Sequence, residues 1–278
     1  MRQPVVAGPP TPERVRTLAA LAAPTHVSIT GSALPAGPAR GGVDELGRPV
    51  LLVKPGEPLH LLAPGDEAVV TVDLSCVRDL GGVARPRGLL KVQGWARAVP
   101  GEDARKAAIE IAERCPDEDL FTVLERPGDP DAPRLLHLDV GFVVYLTAQE
   151  SGILDAETYL GAEPDPFLPD AERLLYHVNC AHRAALRPVA ARLLGRPVGE
   201  VWLWELDRYG VTFREETSRG PGEDAGDPTL IRVPWPSPAA NRHTLEHALH
   251  RLLCGQAPGR AEDAAARQCA ETPGERER

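Results

Sequence analysis

Aromatic side chains are scarce: four Phe, four Tyr and four Trp in 278 residues. With 42% apolar residues the chain is nonetheless globular in composition, so its core must rest mostly on Leu, Val and Ala. Basic charge is not in excess either. Thirty-one Lys and Arg face 40 Asp and Glu, the formal net charge is -9, and no basic stripe stands out. That balance excludes nucleic acid as the expected ligand. Long hydrophobic runs are lacking as well, none approaching the ~18 residues of a membrane helix. Leu18 to Ala23 is short and has no cleavage-site context, so no signal peptide is expected and the protein reads as soluble and cytoplasmic.

Paired cysteines are absent too. Cys76, Cys115, Cys180, Cys254 and Cys269 are dispersed with no C-x-x-C, which argues for reduced thiols and against a disulfide framework or a structural zinc site. Cys180 reads as a small core hydrophobe. No Gly-x-Ser-x-Gly, phosphate loop, dinucleotide fingerprint or Cys/His catalytic set occurs. Whether the chain is an enzyme is left open by its residues.

What is present is a β-rich first half. Met1 to Pro10 reads as a loose arm, and Thr11-Pro12-Glu13 starts a helix, with a hydroxyl cap and Pro in the first turn. His26 to Thr30 alternates as a strand, and Gly31 to Gly42 is a small-residue loop. Strands follow at Pro49–Lys54, Leu59–Ala63, Ala68–Leu74 and Gly88–Val99, with Pro/Gly turns between the first three. An amphipathic helix opens at Pro100-Gly101 and ends near Cys115-Pro116, and Leu135 to Thr147 returns as a final strand. Short strands with one crossover helix suit a small barrel of about six strands, because closure removes exposed edges.

The second half differs. Asp170 caps a long helix with an apolar stripe of Leu174, Leu175, Val178, Ala181, Ala185 and Val189. Strand patterns follow at Val201–Leu206, Gly210–Arg214 and Leu230–Trp235, and a last helix spans Asn241 to Leu253. Ser218 to Asp227 is Gly- and acid-rich. Residues 255–278 have little apolar pattern and read as a disordered tail.

Two motifs lie in this half: Tyr176-His177-Val178-Asn179-Cys180-Ala181-His182 in the long helix, and Asp207-Arg208-Tyr209-Gly210 after the first strand. They resemble the helix and strand end of the small α/β domain in HugZ-type haem-utilisation proteins. Val178 stands where that family has Met, and Cys180-Ala181 where x-Asp is usual, so the acidic neighbour of His182 is missing. Asp155-Ala156-Glu157-Thr158-Tyr159 with Pro164-Asp165-Pro166, and Arg232-Val233-Pro234, match the family's linking segment and turn. The first half resembles the FMN-binding split barrel of the pyridoxamine-phosphate-oxidase superfamily.

The resemblance implies an α+β protein: a split β-barrel over residues 11–150, then a small α/β domain over 165–254. It implies a homodimer paired through the barrel wall, near Val69, Val72 or Trp95, and a haem or other tetrapyrrole ligand, bound, handed on or degraded. Relatives that dock onto a tetrapyrrole-synthesis enzyme offer a non-catalytic, partner-binding alternative. An FMN-dependent oxidoreductase is the third. Lys54, Arg87, Lys91 and Arg97 are the cations the barrel could offer an FMN phosphate; none sits in a family motif, and Glu150 would repel the phosphate, so the residues argue against flavin.

The candidate haem residues are imidazoles and arginines. In a regular helix His177 and His182 would lie about 140° apart, one on each flank of the stripe. His243, His247 and His250 fall within roughly 60° of one another on a face opposite Leu245, Leu249 and Leu252. They therefore point outward, and His243 with His247 is the pair spaced for a metal ion. By position these three are also the family's candidates for reaching haem. Arg208 and Arg232 are candidates for a propionate, because a guanidinium matches a carboxylate.

Overall fold

The computed structural model describes residues 8–63, 65–112, 115–216 and 228–255. Most of the expected N-terminal arm, the acid-rich 218–227 stretch, and the expected tail with Cys269 lie outside these residues. The chain divides between Asp165 and Pro166 into two compact units, residues 10–165 and residues 166 onward.

The first unit runs α1 (Thr11–Leu21), β1 (Ala23–Ile29), β2 (Gly37–Pro38), β3 (Gly41–Val43), β4 (Pro49–Val53), β5 (Ala68–Leu80), β6 (Val83–Ala98), α2 (Gly101–Ala112), α3 (Asp119–Glu125), β7 (Arg134–Thr147), β8 (Ser151–Asp155) and α4 (Ala156–Leu160). Its strands form one antiparallel sheet in the order β2-β1-β5-β6-β7-β4-β3, with β8 added to β7. The sheet curls until β1 approaches β3, giving a half-barrel. Eight strands are thus described where about six were expected, because short β2 and β3 extend the edges and β8 occupies part of the expected linker. Leu59–Ala63 is not a strand but a 3-10 turn over Pro58–Leu61, opened by a proline with no N–H for a ladder.

Alternation along the long strands builds the core. Val70, Val72 and Leu74 of β5 meet Leu90 and Val92 of β6 and Leu138, Val140 and Val143 of β7. Helix α1 adds Val15, Leu18 and Ala19 to that cluster, while α2 and α3 bury Ala107, Ala108, Ile111, Leu120 and Val123 against Val50, Leu52 and Leu135. β5 runs six residues beyond its expected end and β6 begins five residues before its expected start, the two meeting in a tight hairpin. Its turn is Gly81-Gly82, with φ of 65° and 88°, values that L side chains rarely adopt. The linking motif has a structural use here. Tyr159 is fully buried and donates its hydroxyl to the Gly47 carbonyl at 2.7 Å, and burial pushes its phenol pKa up. Asp155 caps α4 through the Thr158 N–H at 2.7 Å, the bond that chiefly holds its carboxyl below the usual range.

The second unit runs α5 (Leu168–Ala181), α6 (Arg183–Leu194), β9 (Glu200–Asp207), β10 (Gly210–Glu216), β11 (Thr229–Pro234) and α7 (Arg242–Leu253). Its antiparallel sheet has the order β11-β10-β9. Val201, Leu203, Val211 and Phe213 bury with Leu175, Val178, Leu186, Val189, Leu245 and Leu249 from the helices. The long helix expected from the apolar stripe is two helices. The chain turns at His182, whose φ of -127° leaves the helical range, and both segments pack on β9. Ala181 and Cys180, expected in the core, are exposed.

Asn179 shows what one motif residue does. Its carboxamide donates to the Leu203 carbonyl and accepts from the Leu203 N–H, both at 2.9 Å, and so pairs with the edge of β9 as another strand would. Leu203 is fully buried, so Asn179→Ala would strand both groups. A loss of about 2 kcal/mol is expected in urea unfolding. A loss near zero would mean that water replaces both bonds.

Glu215 supplies a pH dependence. It accepts two bonds from Arg196, at 2.6 and 2.9 Å, and one from the Gly199 N–H at 3.2 Å. The Arg196 guanidinium chiefly holds its carboxyl below the usual range. A depressed folded-state pKa stabilises above the unfolded value of roughly 4.3, and that contribution is lost as pH falls through the folded one. Glu215→Gln should therefore flatten stability against pH below about 4.3 relative to the parent. Parallel curves would remove Glu215 from the acid transition.

Candidate functional site

The five candidate histidines form two groups in the second unit. His177 lies in the last turns of α5, and His182 is the residue at which α5 ends and α6 begins. A regular helix would hold them on opposite flanks. The break turns His182 back instead, and their Nε2 atoms come within 3.1 Å, with ring centroids 4.8 Å apart at 74°. Both rings are exposed. In the neutral state one ring donates and the other accepts. Beside them, Arg183 stacks on Trp202 at 4.3 Å and pairs with Glu200 at 3.1 Å. The convergence was not readable from spacing, because 3.6-residue periodicity presumes an unbroken helix; Pro188, inside α6, was the one local sign of irregularity.

The second group is on α7. His243, His247 and His250 are all exposed, opposite buried Leu245 and Leu249. An Asn241–Thr244 capping box starts this helix. The His243 and His247 rings stack at 6.3 Å and 27°, side by side rather than converging. His250 Nε2 lies 3.4 Å from Cys254 Sγ. Among the described residues, no group of three or more His, Cys, Asp or Glu side chains could hold a metal ion.

The candidate arginines are engaged at the Asp207–Gly210 turn. Asp207 accepts from the N–H groups of Tyr209 (2.8 Å) and Gly210 (3.0 Å) and from Arg232 (2.6 Å). Arg232 also reaches the Thr212 hydroxyl at 3.3 Å, and Arg208 stacks on Tyr209 at 4.8 Å. The turn thus uses these residues to fasten β9, β10 and β11 together. Gly210 is there for space: it holds no left-handed conformation, but an added Cβ would lie 2.4 Å from the Val233 carbonyl.

In the first unit a cavity of about 690 Å³ lies beside α2. Its charged lining is mixed, Asp44, Glu45, Glu102 and Glu110 with Arg16, Arg105 and Lys106, and no histidine borders it to supply an axial nitrogen. A second of about 230 Å³ is bordered by His137, whose burial pushes its pKa down, and is too small for a porphyrin. Of the cations considered for a flavin phosphate, Lys54 pairs with Asp119, Lys91 with Asp73 at 2.8 Å, and Arg97 with Glu67 at 2.6 Å. Glu150 is held by Arg14 at 3.0 Å. Among the described residues, no helix is long and apolar enough to cross a membrane.

The fold is therefore α+β, a curled antiparallel half-barrel with a small three-stranded α/β unit, as in split-barrel proteins. A solved structure shares it. The chain is similar to a haem-binding protein from Mycobacterium smegmatis at a TM-score of 0.55 and 22% identity, covering 89% of this chain and 98% of that one. A protein of unknown function from Agrobacterium tumefaciens (TM-score 0.37, 16% identity, 91% and 100% covered) and an FAD- and haem-binding protein from Mycobacterium smegmatis (0.35, 16%, 51% and 80%) are more distant. No protein-family model and no curated protein matches the chain.

Proposed function

We propose that this protein binds haem or a closely related tetrapyrrole, in the manner of the HugZ-type group, with the axial imidazole supplied by the exposed face of α7. The observation that carries the reading is that face: three exposed imidazoles in helical register, in a chain whose fold matches a haem-binding protein over almost all of both lengths. An iron porphyrin needs a donor nitrogen on its axis, and neutral imidazole is a common one. The close His177–His182 pair suits this role less well. A porphyrin occupies the four equatorial positions of its iron, so two nitrogens 3.1 Å apart could not both bind it. An exposed ligand favours binding and transfer over degradation, which calls for a site shielded from water. Flavin is disfavoured, since Lys54, Lys91 and Arg97 are each paired with an acid.

The test is the absorbance spectrum with and without one equivalent of haemin, and with FMN. A Soret band shifted from that of free haemin supports the reading. No shift with haemin would end it and leave the partner-binding alternative; a bound yellow chromophore would restore flavin.

The protein is proposed to be a homodimer. Trp95 (41% exposed), Phe142 (37%), Leu146 (55%) and Ile153 (69%) lie on the outer face of β6, β7 and β8, an apolar surface of the kind that marks interfaces. Val72, expected near the interface, is fully buried in the core and has no part in it. Light scattering is expected to return about twice the 29.9 kDa chain mass, and Ile153→Asp with Leu146→Asp to return the monomer. A wild-type mass near one chain would rule the dimer out.

A further inference from the structure

We propose that His177 and His182 form a two-imidazole chelate for a divalent transition-metal ion, a site separate from the porphyrin reading. The two Nε2 atoms are 3.1 Å apart on exposed rings set at 74°. Imidazole nitrogens bind zinc at roughly 2.0–2.1 Å, so two of them on adjacent positions of one ion lie about 2.8–3.4 Å apart, from octahedral to tetrahedral geometry. The pair therefore already holds the spacing that a chelate requires. Two neutral rings this close can share one N–H···N bond; a metal ion replaces it with two donor bonds and lets both outer N–H groups face water.

The arrangement follows from the helix break. His182 leaves the helical range as α5 gives way to α6, and this brings its ring against His177 one turn earlier. The neighbouring cation does not oppose the ion in isolation, because Arg183 is balanced by Glu200 at 3.1 Å and stacked on Trp202. With no third protein ligand among the described residues, solvent completes the shell. Such a site takes borderline ions that accept nitrogen, namely nickel, copper or zinc. The helical i, i+4 pair His243/His247 has the spacing usually associated with chelation, yet its rings stack at 6.3 Å and do not converge.

The experiment is calorimetric titration of tag-free full-length protein with Ni²⁺, with the histidine proton resonances followed in parallel. One ion per chain is expected, broadening two imidazoles selectively. His177→Ala or His182→Ala should each weaken binding at least about 10-fold, what loss of an outer-shell partner alone can cost. His243→Ala/His247→Ala/His250→Ala should leave Ni²⁺ binding unchanged. Haemin binding by the His177→Ala/His182→Ala protein should also be unchanged, so the two readings fail separately. Unchanged Ni²⁺ affinity in that double variant, loss of binding in the α7 variant, or no Ni²⁺ binding by the wild type would each overturn the proposal.

Discussion

Replacing His243, His247 and His250 together by alanine is expected to abolish the Soret shift with haemin while leaving the fold intact. The three rings lie on the exposed face of α7, and the side of that helix that holds the unit together is Leu245 and Leu249. Their removal takes away no core contact, and alanine is the better helix former. The capping box of Asn241 and Thr244 is untouched. The melting temperature should therefore stay within a few degrees, since exposed substitutions usually change stability by less than about 0.5 kcal/mol. Haem affinity retained in this variant but lost on His182→Ala would move the axial ligand to the α5–α6 joint. Comparing circular dichroism melts with haemin spectra on the same samples separates loss of ligand from loss of fold.

Gly210→Ala is expected to be the most damaging conservative change in the second unit. The new methyl would sit 2.4 Å from the Val233 carbonyl oxygen and 2.9 Å from Pro234 Cα, and both obstacles are backbone. Relief requires β11 to move, but β11 is fixed at this point by the pairing of Gly210 with Pro234 and by Arg232 on Asp207. The cost should be about 3 kcal/mol, the upper part of the range for overpacking. For a unit of this size that lowers the melting temperature by roughly 10–20 °C. A Gly210→Ala protein that melts with the wild type would show that β11 yields freely.

The sequence carried the strand periods of β5, β6 and β7 and the outward face of α7, because these elements are long and one face of each is buried. It did not carry the helix break at His182. The apolar stripe continues through Ala181, Ala185 and Val189 as if one helix held it, and only packing of both halves on β9 decides otherwise. The motif residues were legible by resemblance, but their roles were not. Asn179, Asp207 and Gly210 stand inside those motifs, and the structure uses them to fasten strands, through backbone groups whose positions no local pattern encodes. Gly210 supplies room for the Val233 carbonyl, not an unusual conformation. Likewise Val72 alternates like its neighbours on β5, but which side of the sheet is core is settled only once α1 and β7 pack there.

On the proposed reading an imidazole of this chain holds the iron of a bound tetrapyrrole. The most direct measurement is the resonance Raman spectrum of the reduced complex with one equivalent of haemin. An iron–imidazole stretch present in the wild type and absent after replacement of His243, His247 and His250 is the predicted result. A reduced complex without that stretch, or one whose stretch survives the triple replacement, would contradict it.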